Sequence, residues 1–447
     1  VKVIVSEEAC VTCLRFDIPR ARVDTKISLT LELLTPAFVG AAQPRTLDPY
    51  MPLRPSSVRG VLRFWFRTAA AALMWPHDNS PTAHRQMVDA LRELESSVFG
   101  DTRLASAVVV LPPRGGEIRR YRDVGIPDSA SAPGLRYLGY GLFEDAKNPP
   151  EALITRSGQK LTLEIGLRRP TAGVAELLCA TVWLWLHFGG IGARSRRGFG
   201  SLHLSDDHQS HQSLQRLGCP PELLHTPTSY QELLNKLLKQ GLDWVLASFR
   251  EAIPRLSTYP LTKGSGPHVN IRTLDGMSSL SLPVDAPDGE AALEMAGRLF
   301  RDFRSTLQRN RLGMPPLPDY MSVKAGLQSR SPPRSVGRAA FGLPLRFYFR
   351  SLGGAVVQFN PREGDRLPSP LHFRVHRIGR DKEARHVVAL FNLAEVNDAS
   401  PLQGATLVQE GTASPIASPD GNLIKDFIDW AEDQGARMPR ARPGVKR

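Results

Sequence analysis

Apolar and polar positions alternate in residues 25–33, where Ile27, Leu29, Leu31 and Leu33 fall on one side and Thr, Lys, Ser and Glu on the other. That period of two predicts a half-buried strand. Residues 161–167 repeat the pattern, and residues 105–111 and 199–204 are shorter strand-like runs. Between them the period lengthens. From Pro55 onward, Val58, Leu62, Trp65, Phe66, Ala69 and Leu73 draw a broad helical apolar face, with Ser56 or Ser57 as the expected N-cap. Trp65 and Phe66 read as core residues. Residues 84–98 predict a second, short helix, and residues 175–188, the most apolar run, predict a buried one. Strand, helix, strands, helix, strand is the β-α-β-β-α-β grammar of a ferredoxin-like or RRM-type domain. The sheet aromatics of an RNA-binding RRM are missing, so nucleic acid is expected on loops and helix ends.

The second half repeats the mixture. Helical periods cover residues 230–252, 291–310 and 422–434, and strand patterns cover 343–349, 355–359, 371–378 and 386–393. In the third of these strands, His372, Arg374 and His376 alternate with Leu371, Phe373 and Val375, which predicts a polar basic face opposite an apolar one. A metal pair at His372 and His376 is not supported, because strand neighbours four apart are too distant to share one ion. A polar, His-, Ser- and Pro-rich stretch at 206–227 marks a boundary. The reading is an α+β chain of two modified ferredoxin-like (RRM-like) domains with loop and helical insertions, residues 1–210 and 211–447.

Composition narrows the partner. The 447 residues carry 57 Lys plus Arg against 44 Asp plus Glu, a formal net charge of +13, which favours a polyanion, nucleic acid before membrane. The charge is uneven: residues 298–350 hold eleven Lys plus Arg and two Asp plus Glu, and are expected to form a meandering basic surface. No apolar run has the length of a membrane span. With four cysteines and no visible secretory signal, a reducing cytoplasm is the expected compartment. Cys10 and Cys13 form a CxxC with no second Cys/His pair at zinc spacing, so neither metal nor cofactor is expected.

The densest chemistry lies in residues 189–200, where Gly189, Gly190, Gly192, Gly198 and Gly200 share twelve positions with Arg194, Arg196 and Arg197. Glycine lets a ligand approach the backbone, turn amides can cradle an anion, and arginine adds a charged donor fork. At least two of the three arginines are expected to reach RNA phosphates. A second group, Arg59, Arg63 and Arg67, recurs every four residues along the first helix, and Arg45 and Arg54 lie in the loop before it. The glycine run follows its helix and lacks a GxxxxGK[ST] motif, so neither a phosphate loop of the NTPase type nor a Rossmann turn fits.

Several stretches together resemble the RAMP superfamily of CRISPR ribonucleoprotein subunits, in particular the first-subunit family of the type III-B Cmr complex. They are Leu34-Thr35-Pro36-Ala37-Phe38-Val39-Gly40-Ala41, residues 53–67 with Ser57, Arg59, Arg63 and Arg67, Glu95-Ser96-Ser97-Val98-Phe99-Gly100, Tyr137-Leu138-Gly139-Tyr140-Gly141 and the glycine run. Phe341-Gly342-Leu343-Pro344-Leu345 and residues 369–375 extend the likeness, which covers about residues 25–393. The resemblance implies two ferredoxin-like domains in an RNA-guided interference complex, with guide RNA, complementary target RNA and other Cmr subunits as partners and a place toward the 3′ end of the guide. Some related backbone subunits cut target RNA with an acidic residue in the loop after the first strand. Asp48 occupies the comparable loop here, but Thr46-Leu47-Asp48-Pro49-Tyr50 is no nuclease motif and has no carboxylate cluster beside it. A noncatalytic subunit is therefore expected; the alternative is a metal-dependent endoribonuclease using Asp48.

Overall fold

The computed structural model describes residues 25–40, 53–74, 80–116, 118–120, 131–142, 153–155, 157–168, 173–261, 280–313, 317, 319–329, 336–361, 366, 368–393, 408–409 and 422–437. Cys10, Cys13, Arg45 and Asp48 lie outside the described residues.

Strand β1, Thr25–Leu33, leads through the short β2, Ala37–Val39, to helices α1, Pro55–Met74, and α2, Pro81–Phe99. Next come β3, Val108–Val110, β4, Arg114–Gly115, β5, Ile118–Arg120, helix α3, Pro133–Leu138, and strands β6, Leu153–Thr155, and β7, Lys160–Leu167. Helix α4, Val174–Phe188, and β8, Leu202–Leu204, close the unit. The main sheet runs β3-β7-β1-β8, with β4 added beside β7. The strand pairings among its described residues are antiparallel, with Leu29 opposite Leu163 and Leu33 opposite Leu202. Taking β1, β3, β7 and β8 as the four strands of the β-α-β-β-α-β motif, their spatial order is second, third, first, fourth, as in a ferredoxin-like sheet. The leucines of β1 are fully buried beneath Trp65 and Phe66 of α1 and Trp183 and Trp185 of α4. The apolar alternation and the helical stripe thus face one another across one core.

Helix α1 begins one step earlier than the serines suggest. Pro55 takes the first helical position, and the Arg54 carbonyl accepts from the amides of Ser57 at 3.0 Å and Val58 at 3.3 Å. Proline is suited to that position because its missing N–H would have been unpaired there. Neither serine is the cap.

Helix α5, His208–Gln215, leads to Tyr230–Leu234, a π-type turn and helix α6, Leu242–Leu256. Leu214, Leu237, Val245 and Phe249 all pack within the first core. The polar stretch at 206–227 therefore lies along the flank of the first packing unit, because the apolar face of α6 needs α1 and α4 for cover.

A second sheet has the order β12-β13-β9, formed by Leu371–Ile378, Arg385–Asn392 and Leu280–Ala286. Its helices are α7, Gly289–Arg304, capped by Asp288 accepting from the Ala291 amide at 2.7 Å, and α8, Asn422–Arg437. The connectivity is again strand, helix, two strands, helix. A separate hairpin, β10, Leu345–Phe349, with β11, Ala355–Asn360, buries Phe347, Phe349 and Phe359.

Strand β12 departs from expectation. The alternation is present, but both of its faces are buried: His372 is 4% exposed, Arg374 1% and His376 6%. The physical reason is that β12 is wedged between the two units. Phe373 packs with Phe300 in the second core, while His372 meets Trp65 edge-on and stacks on Phe391. Arg374 donates to the Leu186 carbonyl at 2.5 Å and to that of Leu202. The Phe373 amide donates to the Arg196 carbonyl at 2.9 Å, and the Val375 amide to Ser201 Oγ at 3.1 Å.

The basic stretch 298–350 is likewise less open than its composition suggests. Arg304 lies 4.9 Å over the Phe300 ring and 5.2 Å over Phe341. Arg338 pairs with Asp319 at 3.2 Å and covers Phe347 at 4.4 Å. These guanidiniums are attracted to ring faces and a buried carboxylate.

Candidate nucleic-acid interface

The first half of α1 and the glycine-rich segment after α4 come together in one place. The segment is a tight, internally bonded structure. The amides of Ile191, Ala193 and Gly200 donate to Gly200, Phe38 and Pro36 carbonyls at 3.0, 2.8 and 2.8 Å, and those of Arg197 and Gly198 turn back onto Arg194 and Ser195. Thr35 Oγ1 donates to the Gly198 carbonyl at 2.6 Å and accepts from the Ser201 amide at 2.9 Å. Trp185 Nε1 ties down the Gly190 carbonyl at 3.1 Å. Two glycines show why no side chain is tolerated. Gly192 has φ +78°, and a Cβ there would stand 2.2 Å from the Phe38 carbonyl oxygen; at Gly189 it would stand 2.5 Å from Trp65 Nε1. Five backbone donors of the expected anion nest are thus already used by the fold. Those five amides are not free to cradle an anion.

The three arginines diverge. Arg194, in left-handed backbone at φ 61°, is exposed and donates to the Tyr140 carbonyl. Arg196 is half-buried with its guanidinium 5.4 Å over the Phe64 ring. Arg197 turns inward, lying 4.8 Å over Phe300 and 5.6 Å over Phe373 and donating to the Phe341 carbonyl at 3.2 Å. Its Nη1 is buried without a hydrogen-bond partner among the described residues. Burial, with Arg304 and Arg194 nearby, pushes its pKa down to about 9. Arg194 and Arg196 are lowered by burial as well.

The helix arginines divide similarly. Arg63 and Arg67 converge on Glu95 of α2, Arg67 at 2.8 Å, and Arg63 also donates to the Gly100 carbonyl at 3.3 Å. Glu95 is only 4% exposed. Arg54 and Arg59 instead carry buried Nε atoms with no hydrogen-bond partner among the described residues. Neither the His372 ring nor Glu95 was among the predicted site residues. Glu95 had a signal: it shares the apolar face of α2 with Met87, Leu91, Leu94 and Val98, where a carboxylate needs a cation. His372 had none, since only the long-range placement of β12 brings it here.

Between these elements opens a cleft of about 270 Å³, lined by Ser57, Gly60, Val61, Phe64 and Trp65 of α1, by Phe188, Gly189, Gly190, Ser195 and Arg196, and by His372. Burial first, and then Arg196 and Arg197, hold the His372 imidazole well below its usual range, so it is neutral at pH 7. The cleft joins ring faces, hydroxyls and a cation, a mixture suited to an anionic chain bearing planar groups. Among the described residues, no group of three or more His, Cys, Asp or Glu is placed to hold a metal ion.

Residues 30–203 match the RAMP superfamily. The CRISPR system Cmr subunit Cmr1-2 of Pyrococcus furiosus is 29% identical over 187 residues, 38% of this chain and 91% of that protein. Cmr subunit Cmr1-1 of the same organism is 24% identical over 197 residues, 42% of this chain and 50% of that one. The crystal structure of Cmr1 from P. furiosus in its apo form superposes with a TM-score of 0.50 at 18% identity, covering 93% of this chain and 97% of that chain. At that identity the likeness establishes a shared α+β fold.

Proposed function

We propose, from the premise that residues 30–203 form a RAMP-superfamily domain, that this chain is a noncatalytic RNA-binding subunit of a type III-B CRISPR effector complex. It contacts guide RNA toward its 3′ end, helps engage target RNA, and works beside other Cmr subunits in the cytoplasm. The observation that carries this reading is the cleft where the arginine-bearing helix meets the glycine-rich segment, with Arg196 in its lining, Arg59 next in sequence to the lining residue Gly60, and Arg194 next to the lining residue Ser195. The net charge of +13 supports the same partner, as do the Cmr1 relatives. No helix among the described residues is long and apolar enough to cross a membrane.

Arginine contacts to phosphates position a strand, so sequence preference is weak. Arg194, Arg196 and Arg59 are the proposed phosphate contacts. Arg63 and Arg67 add positive potential tempered by Glu95, and Arg54 sets the start of the helix. Gly189, Gly190, Gly192 and Gly198 shape the segment that carries the arginines, and Arg197 anchors it from within. The test is RNA affinity of the full chain across a salt series. Affinity that falls steeply with salt, and falls less steeply once Arg59 and Arg196 are removed, supports the reading. Salt-independent binding contradicts it.

A further inference from the structure

Gly60 sits in the interior of α1, on an exposed part of its surface, where glycine is disfavoured relative to alanine. Nothing inside the fold asks for it. A Cβ built there would meet no atom within 4 Å, in contrast to Gly189 and Gly192, whose absent side chains are explained by Trp65 and Phe38. The open space beside Gly60 is the cleft itself. A helix that forgoes a side chain at the one wall position where the fold has room for it leaves that room for something else.

The walls say what would fit. At about 270 Å³ the cleft lies just below the range of drug-sized ligand sites and matches a single flat heterocycle. Phe64 offers a half-buried ring and Ser57 and Ser195 offer hydroxyls for polar ring edges, over a floor of Trp65, Phe188 and His372 that is almost wholly buried. His372, 4% exposed and packed against Trp65 and Phe391, closes the inner end of the cleft. Arg196 lies over Phe64 at the same cleft, where a sugar-phosphate linkage would pass. We infer that the cleft receives one unstacked nucleobase of the bound RNA, kept open by Gly60 and tolerant of base identity. This rests on the RNA-binding reading above and adds to it a base site distinct from the phosphate contacts.

The experiment compares the full-length parent, Gly60→Ala and Gly60→Leu, each binding an RNA oligonucleotide and its abasic counterpart of equal length, with thermal unfolding as the check on folding. Gly60→Ala puts one carbon into the cleft wall and should weaken binding of the ordinary RNA by about twofold to threefold, a smaller loss than Gly60→Leu gives. Gly60→Leu should remain folded, since leucine is a good helix former, yet lose about tenfold in affinity for the ordinary RNA by displacing a stacked base. On abasic RNA the two variants and the parent should be equal. An equal loss by Gly60→Leu on both RNAs would mean obstruction of the backbone and overturn the base site, as would no loss on either. A free nucleoside monophosphate that binds as tightly as the oligonucleotide, and is displaced by Gly60→Leu, would make this a mononucleotide site and also overturn the proposal. A parent that binds no RNA defeats the broader reading along with it.

Discussion

Arg196 and Arg197 are adjacent in one glycine-rich segment, yet they belong to different regions of the molecule. Arg196 faces the cleft across Phe64, whereas Arg197 is driven between Phe300 and Phe373 in the seam where β12 joins the two units. The seam spends its cations on structure: Arg374 bonds two main-chain carbonyls, Arg197 a third, and Arg304 covers aromatic rings. The cleft holds Arg196 by ring contact, with no side-chain hydrogen bond to a described residue. Arginine density in a sequence therefore does not by itself mark a polyanion site. What separates the two uses is whether protein carbonyls and rings already surround the guanidinium.

That contrast is open to attack from the seam outward. Arg374→Ala should cost about 2–3 kcal/mol of stability, since it opens a cavity and strands the Leu186 and Leu202 carbonyls, offset in part by removal of Nε and Nη1, unpartnered among the described residues. Chemical denaturation measures this, and a loss below about 1 kcal/mol would remove the seam from the account.

The seam's histidines give the next largest effect. His187, His372 and His376 are held well below their usual range chiefly by burial, and His203 is pushed down to about 3. Below pH 6.5 the unfolded chain takes up protons that the folded chain refuses, so stability is full above that pH and falls as acid is added. His203 alone contributes about 1.4 kcal/mol per pH unit within the window from 6.5 down to about 3. Melting temperatures measured from pH 7 to pH 4 should fall, and a flat profile would contradict burial of these rings.

Gly192→Ala should cost about 2 kcal/mol, because its φ of +78° and the Phe38 carbonyl both exclude a side chain. Arg197→Ala should cost about 1 kcal/mol, the scale of its ring contacts and single carbonyl bond. Arg196→Ala, one residue away, should change stability by less than about 0.5 kcal/mol. Equal costs for the two neighbours, read by denaturant midpoint, would erase the distinction between seam and cleft.

The sequence carried the first unit well. The period-two strands at 25–33 and 161–167, the helical stripe from Val58 to Leu73 and the apolar run before the glycines fall where the elements stand, because each pattern is local and each has one face to bury. The strand at Leu371–Ile378 was legible as a strand but not as a wedge. Alternating His and Arg reads as a wet face when partners more than 170 residues away, such as Leu202, are out of sight. For the same reason the arginines of 189–200 were visible as a group, while the inward turn of Arg197 was not. The cleft shows the limit most sharply. Its helix and its glycines announce themselves, but His372 reaches it only through tertiary packing.

The most direct test of the central claim, that Arg59 of the first helix and Arg196 of the cleft serve RNA while seam arginines serve the fold, is the salt dependence of RNA affinity for the Arg59→Ala/Arg196→Ala double variant beside the parent. The account predicts an unchanged denaturation midpoint, weaker binding, and a slope of log affinity against log salt that is shallower by about 0.7 for each phosphate contact removed from a single strand. A folded double variant whose affinity and slope match those of the parent would contradict it.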